Sequence, residues 1–451
     1  MERNYSLELA ELSAILKRIW NSSQLRPEFR TEPMQYGVMP NHCTLLESMQ
    51  MSNQYRCRET KGAHAMRFVS SKSILTDPYR AGLEIGEALA PISPEVILLF
   101  ASMSYDPDFS DFFEALYDVL GSKSVIIFGG TGDGIYESSG AENYGVSALG
   151  INSAGTVAWN VALEQGVKAD SFGAARKCAR KALAASPSPA CFRMILADGA
   201  LADGHAIANG FATEIPGPFI GGLTGDDRKF TGSKVFLNGR EYDDAVAILS
   251  GSGNIRFAVN AASGWTPVGI DGIVEDNQGC EIRTISGQTA LDFMARELGK
   301  PLGEADIGIV PLAAYQHGST KHFCLRTPSH LHHDSGAVTT FGSVEPGAIV
   351  RVCSATREDV VKGALDALDG LSPDSLGFTP AAAIIISCAG RKWLMADRGE
   401  KELAALQSRL GLSIPLAGFP SFGEIGPFRL EDGSYTAVSF HNATLVVCLI
   451  G

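Results

Sequence analysis

This 451-residue chain is predicted to be an α/β protein in which repeated strand-helix-strand units form mixed, partly parallel sheets in two modules, with a β-rich insertion between the second and third unit. Three observations carry the prediction. Apolar runs without polar alternation, at residues 96–100, 192–196 and 382–387, read as strands buried on both faces. Each is followed by a helical pattern and then by a second apolar run that breaks into a glycine-bearing turn. The spacing from first run to turn is similar in all three places, which marks an internal repeat.

The elements justify themselves in order. Residues 1–65 are expected to form a poorly ordered extension, because only Leu7, Leu9, Leu12, Ile15, Leu16 and Ile19 share a helical face and residues 21–61 lack apolar periodicity. Met66 is the alternative start of translation. In unit one the helix carries Phe109, Phe112, Phe113, Leu116, Val119 and Leu120, and the run at 125–128 opens into Gly129-Gly130-Thr131-Gly132-Asp133-Gly134. Unit two repeats the plan, with Phe219-Ile220 opening into Gly221-Gly222-Leu223-Thr224-Gly225-Asp226-Asp227. A turn-rich stretch at 251–254 places the module boundary near residues 252–266, giving a first module at 66–252 and a second at 265–451. The second module opens with a capped helix at 290–298 and an antiparallel β-rich stretch at 306–353. Unit three closes it, with a helix bearing Leu403, Leu406 and Leu410 and a run at 414–416 that leads into Gly418.

Composition narrows the function classes. A formal charge of −13 without a Lys/Arg block argues against nucleic acid as a partner. Nine cysteines without Cys-x-x-Cys spacing fit a reducing cytoplasm. No run reaches the roughly 18 apolar residues a membrane helix needs, and no leader pattern opens the chain, so a cytoplasmic location without membrane contact is expected.

Three groups of residues could carry chemistry. Glycines at a strand end let backbone amides approach a ligand, so Gly129, Gly130, Thr131, Gly132, Gly221, Gly222, Thr224 and Asp226 form a secondary candidate set. Neither turn continues to Gly-Lys-Ser/Thr, which excludes a P-loop, and Asp133, Asp226 and Asp227 favour a cationic or zwitterionic ligand over a phosphate. Close packing between repeats explains the glycines equally well. The second group is a strand-end set: Cys388, Arg391, Glu424, His441 and Asn442. Cys388, Arg391, Glu424 and His441, four polar side-chain types at the ends of apolar strands, are with Asn442 the primary ligand-binding candidates, with Arg391 clamping a carboxylate and Glu424 taking an amino group or orienting Arg391. The third group, His317, His322, Cys324, His330, His332 and His333, lacks zinc-site spacing, and a solvated loop is preferred to a metal site.

The segments Ser387-Cys388-Ala389-Gly390-Arg391, Gly418-Phe419-Pro420-Ser421-Phe422-Gly423-Glu424-Ile425-Gly426-Pro427 and Phe440-His441-Asn442 resemble the C-terminal half of the FIST sensory family. The resemblance begins near Met66, includes Asp77-Pro78-Tyr79-Arg80-Ala81-Gly82, and runs to Gly451. It implies a FIST N-terminal domain over 66–252 and a FIST C-terminal sensory domain over 265–451, sensing a small ligand such as an amino acid in signal transduction. It also implies that some bacterial members bind haem, sense nitric oxide and report to a histidine kinase. Haem would then be the cofactor, with His441 and His322 as candidate iron ligands and His205 behind them. No catalytic residue is assigned. The competing readings are a thiol-dependent enzyme using Cys388 with His441 as base, and a non-catalytic adaptor or scaffold.

Overall fold

The computed structural model describes residues 56–59, 66–186, 188–315, 323–371, 373–411 and 413–451. Each repeat begins with a strand: Arg67–Ser73, Val157–Gln165 and Phe257–Ala262. Each then runs helix, strand, helix, strand, hairpin, strand. In unit one the strand Val96–Ser102 is wholly buried, with Leu98 and Phe100 packed toward one core and Ile97 and Leu99 toward another. That two-sided burial is why the run is continuously apolar. The helices Pro78–Leu89 and Phe109–Leu120 cover its outer face. Asp77 caps the first of them, accepting the Arg80 amide at 2.8 Å with Pro78 already in place at the start.

The three units build sheets of the same order. In unit one Arg67–Ser73, Val146–Asn152, Val96–Ser102 and Ile126–Gly132 lie side by side, and the last two are parallel. Unit two sets Val157–Gln165, Ala245–Gly253, Phe192–Ala197 and Ile220–Leu223 the same way. Unit three does so with Phe257–Ala262, Leu445–Ile450, Ala382–Cys388 and Leu416–Ser421. The inner faces of all three meet in one core, where Phe100 of unit one stacks on Phe419 of unit three at 4.7 Å.

Each unit gives its hairpin to a neighbour. Strand Ile135–Glu137 of unit one pairs with Leu416–Ser421 of unit three. Strand Val235–Leu237 of unit two pairs with Ile126–Gly132 of unit one. Strand Gly423–Gly426 of unit three pairs with Ile220–Leu223 of unit two. The exchange closes a ring, so each sheet contains backbone from two units, and the two expected modules are interwoven rather than separate.

Two features depart from the sequence expectation. Strand Arg56–Glu59 pairs antiparallel with Arg67–Ser73, so the first sheet begins inside the stretch expected to lie outside the fold. The rest of 1–65 lies outside the described residues. The β-rich insertion is antiparallel as expected, but it falls inside unit three, after its first strand Phe257–Ala262 and before helix Arg357–Asp369. It has its own core around Phe293, Ile282, Val338 and Val350. No described helix is long and apolar enough to cross a membrane.

Candidate functional site

The three strand-end turns meet. Asp133 N–H donates to the Pro420 carbonyl at 2.9 Å, Gly225 N–H to the Thr131 carbonyl at 2.9 Å, and Phe422 N–H to the Leu223 carbonyl at 3.0 Å, a cyclic set linking all three units. The glycines just before these turns have one shared reason. A Cβ on Gly129, Gly221 or Gly418 would sit 1.7, 2.2 or 1.8 Å from a carbonyl oxygen of the neighbouring parallel strand, at Leu99, Ile195 and Ile385 respectively. Gly130 abuts Thr224, Gly132 abuts Phe419, and Gly222 abuts Ile386.

The secondary candidate set is therefore occupied by the fold itself. Thr131 Oγ1 accepts from the Lys234 amide, and Thr224 Oγ1 reaches the Ala197 carbonyl and the Ser233 hydroxyl. Asp226 spends its carboxylate on its own loop, accepting from the amides of Phe230, Thr231 and Gly232 at 2.9, 2.6 and 3.1 Å. No turn amide from Thr131, Asp133, Thr224 or Gly225 remains to cradle a ligand.

The primary set comes together but is sealed. Arg391, with no exposed surface, directs Nε and Nη2 at Glu402 Oε1 (2.7 and 2.5 Å). Its remaining donors go to the carbonyls of Ser263, Ala443 and Val360. The expected carboxylate clamp is thus closed on the protein's own Glu402, not left open for a ligand. Glu424 is equally enclosed, accepting from Ser421 Oγ at 2.6 Å and from the Thr444 amide at 3.2 Å. Burial pushes its carboxyl up to about 8 despite those bonds. Burial and the neighbouring Glu424 also push the Cys388 thiol well up, which removes the thiolate a nucleophile requires.

The raised Glu424 makes a pH prediction. Its folded value exceeds its unfolded one, so the native state holds the extra proton, and stability drains as pH climbs from about 4.5 to about 8. Glu424→Gln keeps the shape of the protonated acid. Its melting temperature should gain on the parent by a few degrees between pH 5 and pH 8.5, whereas a constant difference would place the ionisation elsewhere.

His441 Nε2 lies 2.9 Å from the Gly426 carbonyl and must donate to it, leaving Nδ1 without a proton in the neutral ring. Nδ1 has no partner but the Cys324 thiol beside it, and the Asn442 Nδ2 is buried without a hydrogen-bond partner. The sulfur that His441 influences is not Cys388 but Cys324, from the insertion. Burial pushes that thiol up, yet His441, Arg326 and Ser439 outweigh it and bring it to about 6. As an iron ligand His441 does not fit: Nε2 is engaged, Phe428 covers the ring at 5.0 Å, and only 1% of the residue is exposed. His205 is held by Arg326 through Nδ1 and by Asn209 through Nε2. His330 and His332 face each other at 4.4 Å, while His317 and His322 lie outside the described residues.

Beside the meeting turns lies a site the primary set did not anticipate. Helix Ala389–Met395 starts at the strand end and turns Arg391 inward, while Lys392 and Trp393, both half-buried, reach unit one. Trp393 Nε1 donates to Asp133 Oδ2 at 2.6 Å, and Lys392 Nζ donates to the Asp133 carbonyl. Phe230 of unit two, Phe341 of the insertion and Phe422 of unit three complete an aromatic wall, with ring centroids 5.0 Å apart for Phe230–Phe422 and 6.0 Å for Phe230–Trp393. Burial raises the Asp133 carboxyl, and burial together with Asp133 raises Asp227 to about 6. Burial lowers Lys392. A pocket of about 180 Å³ adjoins Lys392 between Tyr136, Asn143 and Glu400. Asp133 and Asp227 are among the carboxylates whose sequence position favours a cation; Trp393, 260 positions from its partner Asp133, carries no sequence signal.

Three strand-exchanged units meet around a buried, charged junction, and FIST domains are sensory domains of signal transduction. The chain belongs to that family: residues 95–288 match the FIST N domain and residues 290–427 the FIST C domain. No curated protein matches the chain. Among solved structures, the cyanuric acid hydrolase from A. caulinodans is 11% identical with a TM-score of 0.31, over 85% of this chain and 98% of that one. A second cyanuric acid hydrolase structure is 10% identical with a TM-score of 0.31, over 86% and 100%. At that distance neither bears on the chemistry of this chain.

Proposed function

We infer that this chain is a cytoplasmic small-ligand sensor whose ligand is cationic or zwitterionic and amino-acid-like, and which signals through a separate output partner such as a histidine kinase. The observation that carries this reading is the origin of the Trp393 site. Asp133 comes from unit one, Asp227 and Phe230 from unit two, Lys392, Trp393 and Phe422 from unit three, and Phe341 from the insertion. A ligand there touches every unit at once, so its binding energy can bias how they pack against one another. The carboxylates and the indole suit an ammonium group, and Lys392 suits a carboxylate.

A thermal-shift screen of free amino acids and amines tests the reading. A cationic ligand should raise the melting temperature of the parent, and its affinity should climb up to about tenfold from pH 5 to pH 7 as Asp227 loses its proton. Asp227→Asn should flatten that pH dependence. Equal affinity for the same ligand in the parent, Asp133→Asn and Asp227→Asn would contradict it.

A further inference from the structure

The loop after the second turn carries an occupant of its own for this site. Asp226 ties down residues 227–232, and within them Asp227, Arg228 and Phe230 hold φ values of 57°, 62° and 53°, a left-handed conformation that side chains other than glycine adopt reluctantly. The result is specific. Arg228 lies with its guanidinium carbon 4.3 Å from the Trp393 ring centroid, and its charge is felt by Asp133. Phe230, 42% exposed, folds over the same indole and onto Phe422. An exposed arginine on a contorted loop thus places a cation on an aromatic face that has a buried carboxylate hydrogen-bonded at its edge.

We propose that Arg228 is a built-in competitor at the Trp393 site, and that the cognate ligand is a guanidinium compound which takes its place on the indole. The proposal rests on the reading above and narrows it to one ligand class and one regulatory device. A side chain that fills a binding face lowers the apparent affinity of any rival by the fraction of time the face is free. Displacing Arg228 also moves a charged side chain on this exposed loop, converting occupancy at the seam into a change on the exposed surface. Planar guanidinium stacks on an indole and pairs with a carboxylate at once, which an ammonium does less well.

Calorimetric titration of L-arginine, agmatine and L-leucine into the full chain, Arg228→Gln and Trp393→Ala decides the matter. Arg228→Gln, an exposed change that leaves the core intact, should bind L-arginine and agmatine on the order of tenfold tighter than the parent. Arg228→Lys should fall between the parent and Arg228→Gln, and Trp393→Ala should lose both compounds. Equal affinities in the parent and Arg228→Gln overturn the competitor while leaving the site intact. Binding of L-leucine but of neither guanidinium compound overturns the ligand class alone. If none of the three binds Arg228→Gln at millimolar concentration, the proposal falls, and the amino-acid screen decides separately whether the broader reading falls with it.

Discussion

Glu402→Ala should cost about 3–5 kcal/mol of stability, because it strands the Arg391 guanidinium without its counter-ion in a place water does not reach. The two side chains are 0% and 5% exposed and meet at 2.5 Å. Arg391 also ties the carbonyls of Ser263, Val360 and Ala443, so it joins the junction before the insertion, helix Arg357–Asp369 and the loop after His441. Loss of the pair should loosen all of them together. Removing both charges at once, as in Arg391→Met with Glu402→Leu, should cost less than Glu402→Ala alone, since no bare charge is left behind. Urea unfolding of the three proteins measures this. A loss below about 1 kcal/mol for Glu402→Ala would mean that Arg391 finds water or another anion, which would reopen it as a ligand group.

Cutting the chain between the expected modules should abolish folding of both pieces. Residues 54–253 retain hairpin Ile135–Glu137/Gly140–Glu142, whose partner strand is Leu416–Ser421, and lack Gly423–Gly426, which edges the sheet of unit two. Residues 254–451 have the complementary deficit. Each piece would expose an unpaired strand edge and half of the shared core around Phe100 and Phe419. Neither should melt cooperatively alone, and mixing them should restore a single transition near that of the intact chain. A cooperative melt from residues 254–451 by themselves would show that the exchange is dispensable.

What the sequence disclosed, and what it hid, follows from how far each feature reaches along the chain. Strands such as Val96–Ser102 and Ala382–Cys388 are buried on both faces, so their apolar runs were visible without any knowledge of the fold. Arg56–Glu59 was not, because three charged residues around a single cysteine can join a ladder through backbone alone. Phe257–Ala262 was hidden by the turn-rich residues before it and by the insertion that separates it from the rest of its unit. The hairpin exchange leaves no local trace at all: three-residue strands like Val235–Leu237 carry no register of their own.

The site was legible in the same proportion. Strand-end motifs located Cys388, Arg391, Glu424, His441 and Asn442 together, yet their types alone could not say whether they face a ligand or one another. Glu402 sits on a helix whose charged pattern reads as solvent-facing, and it closes the clamp. Cys324 was grouped with the histidines near it in sequence, whereas its electrostatic partner is His441, more than a hundred residues on. The repeated glycines had two readings, and the carbonyl oxygens facing Gly129, Gly221 and Gly418 decide for packing.

Where a bound ligand sits tests the central claim most directly. A crystal structure with the tightest amino-acid or amine ligand from the screen should show its cationic group against Trp393, within about 3 Å of the Asp133 or Asp227 carboxylate, with Arg391 still paired to Glu402. Density for the same ligand around Arg391, His441 and Asn442, with the Arg391–Glu402 pair opened, would contradict it.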